Sequence, residues 1–219
     1  MQNLREVLQQ QLDRLQANQY DTRPLVFDPP ASSSEVAALE ADLGFPLPPS
    51  FRNALMKISS HVEFRWFAPK DMDFPEPFDS NFCGDLHWSL KFTRQFNSEK
   101  DGWIKTVFPN RNDPYDAVWH NKLAFLEVGN GDYLSLDLAT PTFGQVVYLS
   151  HDDGEGHGHV LAEDFERLLH RWVPLGCTGG EDWQWLPFFN SGANFIDSSC
   201  PNAEVWRKII GINECSQLA

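Results

Sequence analysis

The chain has 219 residues, 42% of them hydrophobic, with 17 Phe and 8 Trp, enough apolar mass for a sizeable buried core and too much for a disordered chain. Its formal net charge of −14 repels nucleic-acid phosphates and anionic lipid and favours a basic protein as partner. The N-terminal MQNLREVLQQQLDRLQ has no apolar stretch of signal-peptide type, no run is long enough to span a bilayer, and Cys83, Cys177, Cys200 and Cys215 form no CxxC pair. A cytoplasmic setting with reduced thiols is therefore expected.

Leu4, Leu8, Leu12 and Leu15 recur at helical spacing and predict an amphipathic first helix that stops before Asn18, with Thr22 to Pro30 as a connection. Ser32 and Glu35 have capping-box spacing ahead of Val36, Leu39 and Leu43, and Gly44 stands where a helix ends. Pro46, Pro48 and Pro49 then lead into a third helix through Phe51, Leu55 and Ile58. HVEFRWFAP reads as a strand, the Pro- and Asp-rich stretch Asp71 to Asp85 as an irregular loop, DLHWSLKF as a second strand and Phe92 to Thr106 as a helix.

Leu123 to Val128 is an apolar run followed by GNGD, which predicts a hairpin closed by a type I′ turn. In YLSLDL, Leu134, Leu136 and Leu138 alternate with Tyr133, Ser135 and Asp137, and with QVVYLS the pattern predicts a three-stranded meander. LAEDFERLLHRW places Phe165, Leu168, Leu169 and Trp172 on one helical face, and AEVWRKII predicts a last helix stopped by Gly211. The expected class is α+β: a single domain with a central antiparallel sheet flanked by helices. Residues 1–30 would be a helix and connection, 31–173 the core, and 174–219 an aromatic-rich extension packed on it.

Chemistry is weighed at one stretch above all. Asp152, Asp153, Glu155, His157 and His159 fall within eight residues, and His157 and His159 would share a face of a strand. Against a metal centre stand Gly154, Gly156 and Gly158, which read as a flexible link, and the lack of an HExxH pattern. No G-x-S-x-G elbow surrounds Ser150, and GCTGG around Cys177 lacks the flanks of a known cysteine nucleophile. No catalytic residue, metal or cofactor is assigned. A metal-dependent hydrolase built on the His151–His159 turn is the enzymatic alternative. The aromatic EDWQWLPF is read as a tail clamped onto the domain.

Three blocks of this sequence resemble the SUKH superfamily, and they occur in that family's order. SSSEVAALEADLGFPLPPSFRNALMKI resembles its opening helix, G-x-P-L-P turn and second helix; FLEVGNGDYLSLDL its central hairpin; VVYLSHDDGEGHGHVLAEDFERLL its next strand, H-D turn and terminal helix. GCTGGEDWQWLPFF looks like an extension carried by one bacterial branch. The resemblance implies a SUKH-like α+β sheet wrapped by helices, no enzymatic activity, and the role of a bacterial immunity protein that binds and blocks a cognate toxin, often a nuclease or deaminase. The other reading that it implies is a regulatory scaffold acting through protein contacts, as in the relatives that regulate cell-wall assembly. Asp132, Asp137, His151, Asp152, Asp153 and Glu155 are the candidate partner-binding residues, with no nucleic acid or membrane partner.

Overall fold

A computed structural model describes residues 3–189, 195–213 and 218. The first helix, α1 (Leu4–Ala17), buries Leu4, Leu8, Leu12 and Leu15 as expected. The stretch that follows is not a plain connection. It holds two short strands, β1 (Asp21–Thr22) and β2 (Val26–Phe27), which pair side by side along one edge of β3 (His61–Phe67). Strands of two residues carry no period of their own, and their existence depends on the edge that they meet.

Between β2 and β3 in the chain lies the helix pair α2 (Ser33–Leu43) and α3 (Pro49–Lys57). The capping box forms in full: Ser32 Oγ accepts from Glu35 N–H, and the Glu35 carboxylate accepts from Ser32 N–H at 2.8 Å. Gly44 ends α2 with a φ of 80°. Pro49 opens α3, where its missing N–H costs nothing.

The other edge of β3 pairs with β4 (Cys83–Ser89). Val62, Phe64 and Trp66 face the core with no exposure, paired with Trp88, Leu86 and Gly84. The expected second strand ends earlier than its sequence suggested. Ser89 caps α4 (Leu90–Thr106), its Oγ accepting from Lys91 N–H at 3.1 Å, so Leu90 to Phe92 are already helical. A short helix not read in the sequence, α5 (Pro114–Trp119), follows, with the Asp113 carboxylate accepting from Tyr115 N–H at 2.8 Å.

The second sheet has four antiparallel strands in chain order, one more than expected: β5 (Lys122–Glu127), β6 (Tyr133–Asp137), β7 (Val146–Leu149) and β8 (Val160–Ala162). Leu134 and Leu136 face the main core, but Tyr133 and Ser135 are buried too. Phe96, Phe108 and Trp119 roof that second face in a smaller apolar cluster. The alternation in YLSLDL therefore separates two buried faces.

The helix α6 (Phe165–Trp172) buries the four residues expected of it, and Asp164 caps it by accepting from Arg167 N–H at 2.8 Å. Beyond it run α7 (Asp182–Trp185) and α8 (Pro201–Ile210), the latter followed by Gly211 with a φ of 77°. This C-terminal extension is bound to the first sheet by backbone: Asp85 N–H donates to Cys177 O at 2.8 Å and Gly179 N–H to Cys83 O at 2.9 Å. Trp66 and Trp172 lock it further by donating to the carbonyls of Gly176 and Thr178, and Trp185 and Trp206 brace it from within by donating to those of Gly180 and Leu175, all at 2.7–3.0 Å. Buried indole N–H groups need such acceptors, which explains why so many aromatic side chains converge on one coil. Among the described residues, no helix is long and apolar enough to cross a membrane.

Candidate functional site

The turn between β5 and β6 is one residue longer than the expected two-residue turn. A type I′ turn needs positive φ at both central residues. Here only Gly131 has one, at 96°, and a three-residue loop results: Gly131 N–H donates to Val128 O at 2.9 Å and Val128 N–H to Asp132 O at 2.8 Å. The effect is to deliver Asp132 inward, where it is 1% exposed.

Asp132 is the hub of this end of the molecule. One carboxylate oxygen accepts from His151 N–H at 2.8 Å and His151 Nδ1–H at 2.6 Å. The other accepts from Asn130 Nδ2 at 2.7 Å and from the Tyr148 hydroxyl. Burial, and then the Asp132 carboxylate beside it, push the Tyr148 hydroxyl well above the ordinary tyrosine range, so it stays a donor. A single buried carboxylate thus joins the hairpin turn, β7 and the loop after β7.

That loop is pinned, contrary to the flexible link expected of its glycines. Ser150 N–H donates to His157 Nδ1 and His157 Nε2–H donates to Tyr115 O, each at 3.0 Å. The His157 ring stacks on Tyr115 with centroids 3.7 Å apart. Tyr115 in turn donates its hydroxyl to Ser150 O at 2.6 Å and accepts from Asp153 N–H at 3.0 Å. Gly156 N–H donates to the Asp182 carboxylate at 2.8 Å, and a Cβ on Gly156 would meet the Trp185 ring at 2.6 Å. Gly154 and Gly156 are there because neighbouring side chains pass too close for anything larger, whereas Gly158 is there for its φ of 78°. Tyr115, Asp182 and Trp185 were not identified from sequence, although Asp113-Pro114 is a helix-start signal that would have placed Tyr115 on a helix.

The six candidate residues divide. Asp152, Asp153 and Glu155 are exposed on the pinned loop, and His151 beside them is partly exposed. Asp132 lies below them as their support. Asp137 is elsewhere, at the opposite end of β6, about 17 Å away at the rise of an extended strand. It is 8% exposed and accepts from Lys122 Nζ at 3.2 Å, Ala139 N–H at 2.9 Å and Thr142 Oγ1 at 2.8 Å.

The arrangement does not favour the enzymatic alternative. Both His157 nitrogens are committed to backbone, and burial pushes its pKa below the ordinary histidine value, while His159 packs between Trp185 and Phe189. Among the described residues, the group with metal-ligand spacing is Asp132, His151 and Asp152, whose ligand atoms lie within 4.8 Å of one another. Asp132 already accepts four hydrogen bonds there, and a cation would have to displace them. Cys83 and Cys177 are buried free thiols, and burial pushes them up, Cys83 to about 12, so neither offers a thiolate near neutral pH. Cys215 lies outside the described residues.

Beside the hairpin turn lies an open groove of about 840 Å³. Its floor is the outward face of β3 and β4, where Arg65 Nε donates to Asp85 at 3.0 Å and His87 Nδ1 lies 2.9 Å from the same carboxylate. Burial drives the Asp85 carboxyl up, but the hydrogen bond and charge of His87, with Arg65, pull it net below the ordinary range. Glu127 and Glu181 on the rim go the other way, raised by burial. The alternation His61, Glu63, Arg65 already placed these side chains on one face of the strand in the sequence.

Two small antiparallel sheets braced by helices, with a fixed polar end, define a protein of the α+β class. The model of the SMI1 / KNR4 family (SUKH-1) matches residues 30–171, and the chain belongs to this family. Family members are often immunity proteins and typically pair with toxins. No curated protein matches the chain.

Proposed function

We propose that this chain is a non-catalytic immunity protein that neutralises a cognate polypeptide toxin by covering it. The observation that carries the reading is the pinned acidic loop: Asp152, Asp153 and Glu155 are exposed on a segment whose backbone is tied to Asp132, Tyr115, His157 and Asp182. Preorganised carboxylates lose little freedom on binding, and they match the cationic cleft of an enzyme that handles phosphates. A nuclease or a nucleic-acid deaminase has such a cleft. His151 completes the contact face, while Asp132 holds it in shape and Asp137 orders the far end of β6.

The test is co-expression with the toxic domains encoded beside this gene. Restored growth together with a stoichiometric complex supports the reading. No protection against any of them overturns it. A scaffold would instead bring down several host proteins and protect against none.

A further inference from the structure

At the Asp137 end of β6 the molecule reverses its charge. Lys100 of α4 and Lys122 of β5 are only 3% and 8% exposed, and both line a cavity of about 380 Å³ together with Asn97, Lys105 and Arg111. Buried lysines are expensive unless each is fully paired. Lys100 Nζ has one carboxylate, Asp101 at 2.6 Å, and Lys122 Nζ donates to His120 O and to Asp137, both at 3.2 Å. An ammonium carries three N–H donors. Two on Lys100 and one on Lys122 therefore lack an acceptor among the described residues.

Four cations face two carboxylates here, an excess of two positive charges in a chain of net charge −14. Burial pushes the Lys100 ammonium below the ordinary lysine range, and the charge of Lys122 adds to the shift. The two ammoniums repel one another, and Asp101 and Asp137 offset only part of the positive charge around the cavity. Asn97, also nine-tenths buried, lines the same cavity, although its unpartnered Oδ1 is itself closed off from solvent.

We propose that this cavity binds the phosphoryl group of a small phosphate monoester, with the organic part of the ester against Phe45, Ile104 and Leu138. The excess charge matches a phosphate monoester, which carries roughly −1.5 to −2 near neutral pH. Lys100 and Lys122 supply short charge-assisted hydrogen bonds, and the Arg111 guanidinium at the mouth supplies a planar fork. The cavity lies at the small end of the range for ligand sites, which suits a compact ester rather than a polymer. The site is independent of the acidic loop, so a failure of the immunity reading leaves it standing.

The experiment is calorimetric titration of the full chain with inorganic phosphate and with glycerol phosphate, against sodium chloride at matched ionic strength. Saturable binding of both, tighter for the ester, with a raised thermal midpoint, is expected. Lys100→Gln and Arg111→Gln should each weaken binding about tenfold. Arg111 is exposed, so its variant keeps the test open if the Lys100 variant fails to fold. Equal affinity for the two ligands overturns the ester assignment. No saturable binding, chloride matching phosphate, or Arg111→Gln binding like the wild type overturns the site.

Discussion

Asp132 accepts four hydrogen bonds and is almost wholly withdrawn from solvent. Asp132→Ala strands the Tyr148 hydroxyl and two donors of His151, and should cost about 3–5 kcal/mol in urea unfolding. His157 makes a different prediction. Its folded pKa is depressed by burial, so the fold prefers the neutral ring. The stability that it contributes is present above the unfolded value of about 6.5 and is lost as pH falls toward the folded pKa. The thermal midpoint should therefore drop between about pH 7 and pH 5 by more in the wild type than in His157→Phe. In the sequence, Asp132 beside a tight turn reads equally as a turn stabiliser and as a contact, while nothing separates Asp137 from Asp152 and Asp153. A carboxylate's letter says nothing of whether its lone pairs meet water or four protein donors.

At the scale of elements, the features that could be read were those whose causes are local. Ser32 with Glu35, Gly44, and the apolar faces of α1, α3 and α6 each reflect contacts within a turn or two of chain. What could not be read depends on distant partners. β1 and β2 exist because β3 offers them an edge, and the second face of β6 is buried because α4 and α5 arrive to cover it. Gly154 and Gly156 mislead in the same way, because Asp182, near both, and Trp185, near Gly156, come from the extension. Gly156→Ala drives a methyl group into those two side chains and should cost about 1–3 kcal/mol in urea unfolding. Its effect on toxin protection should follow, since the same segment carries Asp153 and Glu155.

For the whole molecule, net charge conceals a division. The acidic loop crowns one end of β6, and the cation-rich cavity occupies the other. Replacing Asp152 and Asp153 with Asn and Glu155 with Gln should lower the association rate with the toxin about tenfold at low salt. The loss should shrink as ionic strength rises, and thermal stability should hardly change, because those side chains are exposed. Stopped-flow association at two salt concentrations separates this steering from a general loss of affinity.

The tie between β4 and the coil at Cys177 to Gly179 also bears on how the protein is made. Strand β4 emerges from the ribosome early, yet the Gly176 carbonyl that satisfies Trp66 and the backbone that closes its sheet are made long after it. A nascent chain must wait with that hydrogen-bonding edge open, and a product cut short after α6 would never close it. Synthesis of the coil beyond α6 is thus the event that commits the fold to a finished shape, and a chain terminated before that coil should be cleared rapidly by proteases.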